Sequence, residues 1–121
     1  MELTLHTETF IDSAHQLFGY NGKCSNLHGH TWRIEVWFKG NTAELDCIGI
    51  LVDFGIIKEL EEILDHKNLN KVLKCNPTAE NLTNWIYDWL IKKINHNIIE
   101  TKVRVYETSL GKETWCEGGD W

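Results

Sequence analysis

Between Thr31 and Lys39, apolar Trp32, Ile34, Val36 and Phe38 alternate with Arg33, Glu35 and Lys39, and a period of two predicts a half-buried strand. The stretch from Leu3 to His15 is mixed and rich in Thr, Ile and Phe, which predicts an earlier strand; Gly19 to Asn26 carries Gly, Asn and Ser and is a loop between the two. After Asp53, a suitable N-cap, Ile56, Ile57, Leu60, Ile63 and Leu64 recur at helical spacing and predict a helix ending near Asp65. Pro77 and Thr78 open a second helix, in which Leu82, Trp85, Ile86, Trp89, Leu90 and Ile94 form a wide apolar stripe directed at a core. Strand chemistry returns from Ile99 to Glu107, with Val103 and Val105 on one side and Lys102, Arg104 and Tyr106 on the other. Gly111 then turns the chain into a short last strand ending near Trp115.

The order ββααββ predicts an α+β fold: a four-stranded antiparallel sheet with two helices packed on one face. Such a sheet has two exposed edges, and association with further copies is one way to protect them. One proline and no linker-like or repetitive stretch place all of residues 1–121 in a single domain. The net charge of −6, with no basic stripe, argues against a nucleic-acid partner. No run approaches the roughly 18 apolar residues that span a bilayer, so no membrane association and a cytoplasmic location are expected. Cys24, Cys47, Cys75 and Cys116 are scattered without a Cys-x-x-Cys pair and are expected to be free thiols.

Chemistry concentrates on the histidines. His28 and His30 are two apart, so in extended chain both imidazoles point to the same side, and they share the parity of Trp32, Ile34 and Val36. Gly29 leaves room between them. A hairpin would bring His15, at the end of the first strand, alongside the pair as a candidate third ligand, with His6, His66 and His96 as competitors. Neutral imidazole suits zinc, and three protein ligands leave one position for water or substrate. Glu107 shares the parity of Val103 and Val105; a carboxylate on the apolar side of a strand needs a partner.

The run Cys24-Ser25-Asn26-Leu27-His28-Gly29-His30, preceded by Ser13-Ala14-His15, resembles the 6-pyruvoyl-tetrahydropterin synthase superfamily, and within it the bacterial 6-carboxy-5,6,7,8-tetrahydropterin synthase branch of queuosine biosynthesis. Leu51-Val52-Asp53-Phe54, Leu64-Asp65-His66-Lys67-Asn68-Leu69-Asn70, Pro77-Thr78-Ala79-Glu80-Asn81 and Val105-Tyr106-Glu107-Thr108 follow in family order. The resemblance implies a tunnelling fold whose subunits form an oligomeric barrel, a hexamer built as a dimer of trimers, with active sites at subunit interfaces. It implies Zn2+ on His15, His28 and His30, proton transfer by Cys24, Asp65 and His66, and a pterin ring anchored by Glu107 with help from Thr78.

The implied reaction converts 7,8-dihydroneopterin triphosphate to 6-carboxy-5,6,7,8-tetrahydropterin, releasing acetaldehyde and triphosphate. Arg33, Lys23 and Lys67 are the basic candidates for the triphosphate. Rival readings are a 6-pyruvoyl-tetrahydropterin synthase, a side-chain-cleaving pterin enzyme of folate synthesis, whose relatives place glutamate where Cys24 stands, and a non-catalytic zinc- or pterin-binding protein of the same fold. Glu113-Thr114-Trp115 departs from the alanine and tyrosine or phenylalanine usual near the last strand, and Cys47-Ile48-Gly49-Ile50-Leu51 is a variant lead into the first helix.

Overall fold

The computed structural model describes residues 1–108 and 113–121. Strands β1 (Glu2–His15) and β2 (His28–Asn41) form a hairpin, helices α1 (Ile56–Leu64) and α2 (Ala79–Lys93) follow, and β3 (Glu100–Tyr106) and β4 (Trp115–Gly119) complete the chain. The sheet order is β1-β2-β3-β4, antiparallel throughout. The ββααββ expectation and the α+β class hold.

Alternation decides which face is covered. Ile11 on β1, Trp32, Ile34, Val36 and Phe38 on β2, and Val103 and Val105 on β3 are buried against Ile57, Leu60 and Leu64 of α1 and Leu82, Ile86 and Leu90 of α2. α1 lies over β1, and α2 over β3 and β4. Each fully buried large aliphatic side chain contributes roughly 1.5–3 kcal/mol, so this one layer accounts for most of the drive to fold. The other face holds charged and aromatic side chains: Arg104 stacks 4.1 Å above the Trp115 ring, Lys102 lies 4.7 Å over Trp37, and His6 pairs with Glu35 at 2.8 Å.

Two local expectations need correction. Asp53 does not cap α1: its Oδ1 accepts from the Gly55 amide at 2.8 Å, which closes a turn ahead of the helix, and Gly55 holds the N-cap position without a side-chain bond. The last strand begins at Trp115 instead of ending there. Gly118 and Gly119, beyond the expected end of that strand, pair with Val103 and Lys102. At Gly119, with φ +148°, a Cβ would stand 2.3 Å from the Thr101 carbonyl oxygen, so the close approach of β4 to β3 demands glycine. The turn assigned to Gly111 lies outside the described residues.

Candidate metal centre and proton-transfer residues

The hairpin register places His15 directly opposite His28, and Ser13 opposite His30. All three imidazoles therefore emerge on the covered face at the end of the sheet, as the parity with Trp32 predicts. Trp32, fully buried, forms the floor, its ring centroid 4.9 Å from that of His15 and 5.3 Å from that of His30, and its Nε1 donates to the Ser13 carbonyl. Gly29 is not required for space: a Cβ there would meet only the Ser13 carbonyl oxygen, at an ordinary 3.9 Å.

His15, almost completely buried, lies with its Nε2 3.0 Å from Nε2 of His28. That contact is informative because the opposite ring nitrogens are already committed. His15 Nδ1 is 2.7 Å from the Pro77 carbonyl and His28 Nδ1 is 2.7 Å from the Asn26 carbonyl. A carbonyl only accepts, so both Nδ1 atoms carry hydrogen, and in the neutral rings both Nε2 atoms are left as lone pairs facing each other. His30 Nε2 is buried without a hydrogen-bond partner among the described residues, although Glu107 Oε1 stands 3.1 Å from it and 3.7 Å from His15 Nε2. Burial lowers the His30 pKa below the usual imidazole value; Glu107 opposes the shift, and His15 and His28 reinforce it.

Among the described residues, His15, His28, His30 and Glu107 bring four ligand atoms within 4.8 Å of one another. Inward lone pairs on neutral rings repel unless a cation lies between them. Two nitrogens on one tetrahedral zinc stand about 3.3 Å apart, given Zn–N lengths of ~2.05 Å, close to the 3.0 Å seen. The donor set fits a zinc-like divalent ion, and the orphaned His30 nitrogen is the atom such an ion satisfies. Glu107, treated in the sequence as a separate anchor, is brought into the same cluster.

Asp65 and His66 end α1. Asp65 is the C-cap, and His66 adopts a left-handed conformation (φ 54°) with its amide donating to the Asp12 carbonyl. Asp65 Oδ2 lies 2.8 Å from His66 Nδ1, while Oδ1 accepts from the Asp12 amide at 2.8 Å. Burial pushes the Asp65 carboxyl up, but the Asp12 amide and His66 outweigh it and hold it below the usual carboxylate range. The cap and the carboxylate–imidazole pair coexist. His66 is largely exposed and, with Asp12, Gly29, His30 and Lys67, lines an open groove of about 540 Å³.

Cys24 sits partly buried on a short 3-10 turn, Lys23–Ser25, with its sulfur outside the clustered ligand atoms. All four cysteines are free. Thr78 is the N-cap of α2, its Oγ1 accepting from the Asn81 amide at 3.1 Å, which leaves its hydroxyl proton to donate. Arg33 must be removed from the phosphate candidates. It lies on the uncovered face, 3.0 Å from Glu8, 3.5 Å from Glu35 and 3.6 Å from Glu113. Of the three basic candidates, Lys67 lines the groove. The carbonyls of Pro77 and Asn26 were missed by sequence reasoning because backbone groups leave no signature in composition.

A ββααββ subunit with three imidazoles and a carboxylate at one end of its sheet defines a pterin-synthase type of scaffold. The family model described as 6-pyruvoyl tetrahydropterin synthase matches residues 4–117, and the chain belongs to that family. Relatives named 6-carboxy-5,6,7,8-tetrahydropterin synthase, from Rickettsia bellii and Rickettsia typhi, are 32% and 30% identical, each alignment covering 81% of this chain and 88% of the relative. A dihydroneopterin monophosphate aldolase of Pyrococcus furiosus is 34% identical over 67% of this chain and 70% of its own. The fold matches that of Caenorhabditis elegans 6-pyruvoyl tetrahydropterin synthase with a TM-score of 0.74, at 23% identity, over 98% of this chain and 96% of that one.

Proposed function

We propose that the chain is a zinc-dependent 6-carboxy-5,6,7,8-tetrahydropterin synthase, a carbon–carbon lyase acting on 7,8-dihydroneopterin triphosphate and releasing acetaldehyde and triphosphate. The observation that carries this reading is the convergence of His15, His28 and His30, two of them locked by carbonyls with their free nitrogens turned inward. Zinc held there supplies Lewis acidity to a side-chain hydroxyl of the substrate, which makes protons on the neighbouring carbons easier to remove.

The protein's own groups do the rest. Cys24, as thiolate, takes a proton from the side-chain carbon presented to it. Asp65 fixes His66 through Nδ1, leaving Nε2 to give or take a proton in the groove that His66 and His30 both line. Glu107 receives the paired N–H donors of the pterin edge bidentately, with the Thr78 hydroxyl as a second contact. Lys67 is the basic side chain placed to meet the triphosphate. The groove is wide open in a single chain, which favours a hexamer, a dimer of trimers, whose neighbouring subunits close it. Residues 1–121 form one domain of this enzyme, which works in the cytoplasm in queuosine biosynthesis.

The names of the Rickettsia relatives support the carboxy branch; the aldolase relative keeps a second pterin-cleaving outcome in the same test. Zinc-loaded protein is incubated with 7,8-dihydroneopterin triphosphate and the products are identified by mass. A 6-carboxytetrahydropterin product with acetaldehyde is expected. A 6-pyruvoyl product would move the chain to the other branch, and bound zinc without turnover would make it a binding protein.

A further inference from the structure

Beyond His15 the outer edge of β1 continues as a ladder whose partners change from backbone to side chain. The His66 amide donates to the Asp12 carbonyl at 2.8 Å, and the Ala14 amide to the Lys67 carbonyl at 2.9 Å. Two residues on, the Gln16 amide donates to Asn70 Oδ1 and Asn70 Nδ2 donates back to the Gln16 carbonyl, both at 2.8 Å. Two residues further, the Phe18 amide donates to Asn76 Oδ1 at 2.9 Å and Asn76 Nδ2 donates to the Phe18 carbonyl at 2.8 Å. A primary amide offers a donor and an acceptor side by side, as a peptide group does, so each asparagine serves as one rung.

The opposite edge of this short segment holds Cys24. The Leu17 amide donates to the Cys24 carbonyl at 2.8 Å, and the Gln16 side-chain amide donates to the Ser25 carbonyl at 2.9 Å. The asparagines are themselves anchored: the Asn70 amide donates to Asn68 Oδ1, and the Asn76 carbonyl accepts from Asn81 Nδ2 and from the Thr78 amide at the start of α2. Apart from its covalent run into β2, the cysteine turn is held by Gln16 and Leu17, in a segment that Asn70 fixes at Gln16 and Asn76 fixes at Phe18.

We propose that Asn70 and Asn76 are positioning residues that set where the Cys24 thiol stands relative to the histidine centre. The proposal rests on the reading of Cys24 as the proton-transfer group. His15 is oriented by the Pro77 carbonyl and His30 by its place in β2, whereas His28 is held by Asn26, which caps the cysteine turn; loosening the Asn70 rung therefore moves the thiol while two of the three imidazoles keep their own supports. A displacement of about 1 Å in such a group costs on the order of a hundredfold in rate.

The test uses the full-length zinc-loaded protein. Asn70→Ala is expected to lower kcat ten- to a hundredfold with KM within twofold, to retain zinc, and to speed hydrogen exchange at the Gln16 and Leu17 amides. In a Cys24→Ala background the same change is expected to cost no further turnover, because its effect passes through the thiol. An equal loss of kcat in both backgrounds, or unchanged exchange at Gln16 and Leu17, overturns the proposal. Full turnover by Cys24→Ala alone would instead sink the reading of Cys24, and is recognisable without Asn70. If Asn70→Ala does not fold, Asn70→Asp, which keeps the acceptor for the Gln16 amide, is judged by the same two readouts.

Discussion

Replacing Glu107 with glutamine separates the two jobs open to that residue. Its Oε1 is 3.1 Å from His30 Nε2 and 3.7 Å from His15 Nε2, near enough to be a fourth ligand, yet its side chain is 36% exposed. If Glu107 anchors the pterin, Glu107→Gln keeps the shape but loses the charge and one of the two acceptors, leaving an NH2 group opposite a pterin N–H. The bond lost is one to a charged group, and such a bond contributes about 1.5–3 kcal/mol. Partial exposure favours the lower end, about 1.5–2 kcal/mol, which is roughly a 10- to 30-fold loss in kcat/KM. Zinc content should be unchanged, because three imidazoles remain. Removing Glu107 also removes the one influence that raises the His30 pKa, so the ring stays neutral and ready for metal. Steady-state kinetics and metal analysis on one preparation decide the matter: zinc lost from Glu107→Gln, or kcat/KM unaltered, would refute the anchoring role.

Cys24→Ala should reduce turnover by about 10²- to 10⁴-fold, the usual range for a lost acid–base group, while binding zinc normally; an active variant rules out the thiol. Metal-free protein should lose stability in acid. The His30 pKa is depressed in the folded state by burial, with Glu107 opposing and the two neighbouring histidines adding to it, so the unfolded chain binds more protons there. Stability from this site is complete above the ordinary imidazole value of 6.5 and declines as the pH falls below it. Thermal melts of chelated protein between pH 5 and 8 should therefore descend on the acid side, and a midpoint rising toward pH 5 contradicts the assignment. Gly119→Ala, whose Cβ would meet Thr101 O at 2.3 Å and Lys102 Cα at 2.6 Å, should destabilise by about 3 kcal/mol. A melting temperature within 2 °C of wild type, against the ~10 °C drop that such a loss implies, would show that β4 can move off β3.

Parity made much of this molecule readable. The alternation that buries Trp32 and Val36 also turns His28 and His30 to the covered face, and a hairpin in register then delivers His15. The same rule excludes Arg33 from the site, since it alternates with Trp32; considering charge without direction made it a phosphate candidate. The last strand was expected to end near Trp115 but begins there: glycine marks turns as well as close strand approach, and only the neighbour at Thr101 shows that Gly119 belongs to a strand. Glu107 was placed on the correct side, but its distance from the histidines depends on how β3 registers with β2. Asn70 and Asn76 were out of reach: a side-chain amide that imitates a peptide leaves no periodic trace, and its partner is more than 50 residues away.

X-ray absorption at the zinc edge, on protein purified without added metal chelators, tests the centre most directly. One zinc per chain with three imidazole nitrogens at about 2.0–2.1 Å and oxygen completing the shell, reduced to two nitrogens or to no metal in His28→Ala, is the predicted result. A sulfur ligand in the shell, or a wild-type protein that takes up no zinc, would contradict it.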